Sequence, residues 1–232
     1  MSDAISYEQD AGVATVTLDD GKVNALGVPV LEALHAHLDR AEADGDAVVL
    51  TGRTGMFSAG FDLKTFAAGG AELLRMLELG STLCERILGF PRPVVIAASG
   101  HAMAAGAFLL LAADVRIGAE GDFRVGLNET QIGLTLPWSV IEVARYRIPP
   151  SHREAAIVAG TIYGPRDAIA PGFLDRVVAP DAVLASAQEE AARLGAFDPG
   201  AYAGNKLRLR GPAVEAVRAG TQRMVEELGA LR

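Results

Sequence analysis

The stretch RVGLNETQIGLTLPW, from Arg124 to Trp138, carries one carboxylate, Glu129, among apolar and turn-forming residues. A glutamate so placed can start a helix, sit in solvent on a loop, or act as a general base. A base needs a proton to move and a partner group that holds the negative charge its removal creates. Two other stretches offer such a partner. FSAGFDL (Phe57 to Leu63) and HAMAAGAFLL (His101 to Leu110) each read as apolar strand, turn of small residues, then helix. Small residues let a backbone come close to a ligand. A helix that begins at such a turn points its first N–H groups outward, with the positive end of its dipole behind them. Alone, each turn is an ordinary strand-to-helix connection. Facing each other, the two make an oxyanion hole with two donors.

The elements that must position these residues alternate along the chain. ISYEQDAGVATVTLDD predicts a hairpin around Gly12, and GVPVLEALHAHLDRAEAD a helix with Pro29 near its start. AVVLTGR reads as a buried strand. AELLRMLELGSTLCERILGF reads as a helix ended by GFPRP. VVIAAS is a strand, GHAMAAG a turn, AFLLLAAD a helix and VRIGA a strand. From about Ser151 the pattern turns helical through SHREAAIVAG, GPRDAIAPG, AVLASAQEEAARLG and PAVEAVRAGTQRMVEELGALR, with the strand DRVVAP between them. Strands alternating with helices imply an α/β fold with crossover connections. The chain divides into an α/β core over residues 1–175 and a mainly helical C-terminal region over 176–232.

Composition narrows the function classes. Of 232 residues half are hydrophobic and 22% are charged, enough apolar material for a large core. The formal net charge of -8 argues against a broad nucleic-acid or membrane surface. The single cysteine, Cys84, reads as a buried structural thiol, and no Cys/His cluster has metal-ligand spacing. The apolar run from Val94 to Val115 is long enough to span a bilayer, but Ser99, Gly100 and His101 split it. The start MSDAISYEQD lacks a basic segment followed by an apolar one, so a cytoplasmic protein is expected.

Four motifs in order give the sequence a family resemblance. KVNAL (Lys22 to Leu26), FSAGFDLK (Phe57 to Lys64), RPVVIAASGHAMAAGAFLLLAADVRI (Arg92 to Ile117) and GLNETQIGL (Gly126 to Leu134) resemble the crotonase superfamily, the enoyl-CoA hydratases and isomerases. The resemblance covers roughly residues 5 to 225. It implies a spiral of ββα turns with a C-terminal helical region that assembles homotrimers or dimers of trimers. It also implies an acyl-CoA substrate of fatty acid metabolism. Coenzyme A enters as part of the thioester, with no separate cofactor, no metal, no nucleic-acid partner and no membrane insertion.

Carried onto this chain, the resemblance puts the two backbone donors at Phe61 and Ala105. It surrounds the substrate with Ala59, Gly60, Asp62, Leu63, Asn128, Phe108, Lys22 and Ala25. The family's hydratases use two glutamates. Here Phe108 stands at the first position and Glu129 at the second, as in the single-glutamate Δ3,Δ2-enoyl-CoA isomerases. One carboxylate suffices to move a proton from C2 to C4 of a 3-enoyl thioester. Water addition to a 2-enoyl thioester divides its proton work between two. The isomerase reading therefore leads. A hydratase, or a binding homologue without catalysis, remains the alternative, the latter kept open by Phe108 and the bulk of Phe61.

Burial beside Leu127, Ile132, Phe108 and Trp138 is expected to raise the pKa of Glu129. Asp62 reads as a helix cap and Glu85 as a solvated helix carboxylate. Lys22, Lys64, Lys206, Arg208 and Arg210 are candidate cations for the CoA phosphates, with a solvated charge as the default for each.

Overall fold

The computed structural model describes residues 4–230. Strands β1 (Ile5–Asp10) and β2 (Val13–Leu18) form the expected hairpin, turned by Ala11 and Gly12, both at positive φ. The short β3 (Ala25–Leu26) leads to helix α1 (Val28–Asp44), which has proline in its first turn. Next come β4 (Ala47–Gly52), β5 (Gly55–Ser58), β6 (Gly60–Phe61), α2 (Leu63–Ala68) and the long α3 (Gly70–Gly89). The second unit runs β7 (Val94–Ala98), β8 (Gly100–Met103), α4 (Ala105–Ala112), β9 (Val115–Ala119) and β10 (Val125–Gly126). Helices α5 (Trp138–Arg147) and α6 (Pro150–Arg153), strand β11 (Arg176–Val178), and helices α7 (Val183–Gly195) and α8 (Pro199–Gly229) follow.

Six strands form the main sheet in the order β1-β2-β4-β7-β9-β11, parallel apart from β1. Strand residues alternate between its faces. Val13, Ala47, Val49, Val95, Ala97 and Ile117 pack with Val183, Ala187 and Ala191 of α7. Their neighbours Val48, Leu50, Val94, Ile96 and Ala98 face the main core, with α1, α3 and α4. Burial on both faces explains the unbroken apolar strings AVVL and VVIAA.

A second parallel sheet, β10-β8-β5, and the pair β3-β6 stand beyond the ends of β4 and β7. The GHAMAAG segment, expected as a turn, thus contains strand β8 before its turn. GPRDAIAPG forms successive turns, not a helix, between Pro165 and Pro171. Helix α8 begins at Pro199, well before Pro212, and continues through that proline. Asp198 caps it by accepting from Ala201 N at 2.7 Å, and Pro199 supplies a helix-ready φ. It packs along α3 and α5. Among the described residues no helix is long and apolar enough to cross a membrane.

Candidate active site

The two small-residue turns meet. Gly60 holds φ at +103°, a region open mainly to glycine. A Cβ at Gly60 would stand 2.8 Å from Ala104 Cβ and 3.0 Å from the backbone N of Ala105. Ala105 opens α4, so its N–H has no acceptor within the helix. Ala104 is held at φ 50°, ψ −125°, a conformation costly for a residue with a Cβ, and its N–H donates to Gly126 O at 3.0 Å. The turn expected to carry the second donor thus forms without glycine at either position.

Asn24 secures the first turn. It is buried, sits at φ 51°, and its side-chain amide donates to the carbonyls of Leu18, Met56 and Phe57 at 2.9–3.1 Å. Its backbone carbonyl accepts from Ser58 Oγ at 2.7 Å, and that oxygen accepts from Gly60 N at 3.1 Å. Asn24 and Ser58 were not read from the sequence as site-building residues. The signal was present in KVNAL, since asparagine tolerates the left-handed region and its side chain can satisfy several backbone groups at once.

Asp62 caps α2, accepting from Lys64 N at 3.1 Å and Thr65 Oγ1 at 3.0 Å, the role expected for it. Phe61 lies half-buried, its ring against Gly80 of α3. Ala59, Leu63, Lys22 and Lys64 are exposed, and Ala25 is half-buried. The backbone carbonyl of Lys22 accepts from Arg53 Nε at 2.8 Å.

Glu129 follows β10 and precedes a short 3-10 turn at Thr130–Ile132. Its carboxylate is buried, and Oε2 has no hydrogen-bond partner. Burial pushes its pKa up to about 7, partly offset by its own backbone N–H. Of the four apolar residues expected around it, Leu127 and Phe108 are buried in the core. Ile132 and Trp138 are substantially exposed, because the loop turns both outward. The buried Oδ1 of neighbouring Asn128 also lacks a partner. A buried carboxylate with a free oxygen and a pKa near neutrality is suited to accepting a proton.

The sequence profile of the enoyl-CoA hydratase/isomerase family matches residues 8–226. The chain belongs to that family. An enoyl-CoA hydratase/isomerase family protein from Pseudomonas syringae superposes with a TM-score of 0.95 at 40% identity, over 97% of this chain and 98% of that one. Human mitochondrial delta3-delta2-enoyl-CoA isomerase superposes with a TM-score of 0.90 at 28% identity, over 97% and 92%. A probable enoyl-CoA hydratase of Bacillus subtilis is 37% identical over 135 residues, which span 56% of this chain and 52% of that protein. Relatives named for both reactions thus share this fold.

Within this enoyl-CoA hydratase/isomerase frame two sequence readings are corrected. Glu85 is not a freely solvated carboxylate: it is largely buried between α3 and α8 and accepts from Arg218 Nε and Nη2 at 2.9 and 2.7 Å. Lys206 and Arg210 do not reach out as phosphate ligands. They turn inward and pair with the buried Asp114 at 2.6 and 2.9 Å, because their i,i+4 spacing places both on the face of α8 that meets the core. A cavity of about 410 Å³ opens beside this cluster, lined by Tyr202, Asn205 and Leu209 among others. It lies where β9 begins, whereas Ala105 follows β8, at the other end of α4, so it is separate from the place where the two turns meet.

Proposed function

We propose that the chain is an acyl-CoA enzyme that converts 3-enoyl-CoA to 2-trans-enoyl-CoA. The observation that carries this reading is Glu129, a buried carboxylate with a free oxygen, on the same fold as Phe108. The backbone N–H groups of Phe61 and Ala105 hold the thioester oxygen. Glu129 takes a proton from C2, and the electrons of that C–H bond move onto the thioester, giving a dienolate whose negative oxygen rests between the two donors. The C3–C4 double bond then takes the proton from Glu129 at C4. A new double bond forms between C2 and C3, and the thioester carbonyl is restored.

The balance needs no water and no second carboxylate. Phe108, an apolar side chain where a hydratase would bear its other glutamate, supports a dry site. Glu85, a carboxylate of α3, is already paired with Arg218 and offers no ready second acid. A pKa near 7 suits one group that must both accept and return a proton. We also propose the homotrimeric or hexameric assembly implied by the resemblance.

The test follows product formation from 3-enoyl-CoA and from 2-trans-enoyl-CoA, with wild type and Glu129→Gln in parallel. The expected result is 2-trans-enoyl-CoA from the first substrate, no 3-hydroxyacyl-CoA from the second, and a loss of about 10²–10⁴-fold in the variant. Efficient water addition to the second substrate would replace the isomerase reading with the hydratase one. Binding of acyl-CoA without turnover of either would leave a binding homologue.

A further inference from the structure

The loop that carries Glu129 ends at Trp138, the only tryptophan of the chain and the first residue of α5. Three contacts join this residue to the last turns of α8. The indole N–H donates to the two carboxylate oxygens of Glu227, at 2.9 and 3.1 Å. The Arg223 guanidinium lies over the ring, 3.6 Å from its centroid. Its Nε donates to Glu227 Oε1 at 2.9 Å, so the two α8 residues, one turn apart, grip the indole from edge and face.

The next residue is anchored as well. Ser139 is buried, its hydroxyl 2.7 Å from that of Ser81 on α3. Gly220 of α8 packs so near that a Cβ there would stand 2.6 Å from Ser139 N. Upstream, Gln131 donates to Gly160 O at 2.7 Å. The loop is therefore pinned on both sides of its exposed middle, where Ile132 faces solvent.

Such pinning matters because a desolvated carboxylate favours any movement that returns it to water. Arg223 and Glu227 are more than half exposed, and an exposed ion pair adds little to global stability. Their contribution is local: they fix the direction in which the loop leaves the site. We propose that the Arg223–Glu227 clasp on Trp138 is a positioning device that holds the Glu129 loop closed over the reacting carbons. This rests on Glu129 being the base.

Glu227→Ala and Arg223→Ala remove the clasp and leave Trp138 as its own fluorescent reporter. The expected result is an altered emission spectrum and a kcat on 3-enoyl-CoA lowered by about 10-fold or more, with KM nearly unchanged. The acid limb of the pH–rate profile moves down, toward the ordinary carboxylate value, because water reaches Glu129. Glu227→Gln keeps an acceptor for the indole N–H and restores most of the rate. A kcat and acid limb equal to wild type in both alanine variants would overturn the proposal, whether or not the emission moves. Glu129→Gln is assayed alongside. Full turnover in that variant would remove the base assignment, and the clasp proposal with it. An inactive Glu129→Gln beside a fully active Glu227→Ala would remove the clasp proposal alone.

Discussion

The ring of Phe61 rests on Gly80, so close that a methyl group on that glycine would stand 2.5 Å from Cε1 and Cζ. A residue that looked too bulky for its turn is accommodated by a gap in helix α3. The gap has a cost, since glycine inside a helix is destabilising by about 0.5–1 kcal/mol relative to alanine. Gly80→Ala recovers that propensity but displaces the ring, and with it the Phe61 N–H proposed to hold the thioester oxygen. The expected outcome is a melting temperature close to wild type with kcat lowered by about 10-fold or more. Adding Phe61→Leu, which shortens the side chain, is expected to restore part of the loss. A double-mutant cycle on kcat checks this, and additive effects would contradict the coupling.

The raised pKa of Glu129 ties activity and stability to pH in opposite directions. A base must be ionised, so turnover is expected to fall as pH drops through about 7. The native state holds this proton more tightly than the unfolded chain, whose carboxyl titrates near 4.5. Stability contributed by this group therefore declines as pH rises from about 4.5 to about 7, then levels. Glu129→Gln keeps the shape and removes the buried charge. It is expected to be more stable than wild type by roughly 3 kcal/mol at pH 8, with the gain vanishing near pH 4. Denaturant melts at the two pH values measure the difference.

The layered core was legible because it depends on periodicity. The hairpin, α1, α3, β4, β7 and β9 all follow from apolar spacing and flanking turn residues. Glu129 and the turns at Gly60 and Ala105 stood out only as a set, because each turn alone is an ordinary strand-to-helix connection and the four motifs in order gave them a common context. Long-range pairing was not. Nothing within NKLRLRG says that Lys206 and Arg210 will meet Asp114, far away in sequence and preceding β9. The same holds for Asn24, whose three carbonyl partners lie in two different strands or their ends. Trp138 and Ile132 look like core residues by type. Their exposure is decided by how the Glu129 loop turns, which depends on α8 and on Gly160.

Ala104 offers a direct measure of strain at the second turn. Its φ of 50° with ψ of −125° is a conformation that glycine adopts without penalty. Ala104→Gly relieves a strain of order 1–3 kcal/mol and gives back about 0.4–1 kcal/mol through a more flexible unfolded chain. The net expectation is a stabilisation of about 1 kcal/mol with turnover retained, read from denaturant unfolding and steady-state assays. A destabilised Ala104→Gly would mean that the alanine methyl packs well enough to outweigh the strain.

The Asp114 cluster separates structural cations from substrate cations. Lys206 and Arg210 have side chains less than a tenth exposed, and both depend on one carboxylate that is itself buried. Burial holds Lys206 down to about 8, with Asp114 opposing the shift. Asp114→Asn preserves the shape and leaves two buried positive charges uncompensated. Breaking a buried pair in this way typically costs about 3–5 kcal/mol, whereas the KM for acyl-CoA is expected to stay at its wild-type value. The combination is diagnostic. Were Lys206 and Arg210 ligands for the CoA phosphates, freeing them from Asp114 would change substrate affinity as well as stability. A melt by circular dichroism and a KM measured well below the variant's transition distinguish the two roles.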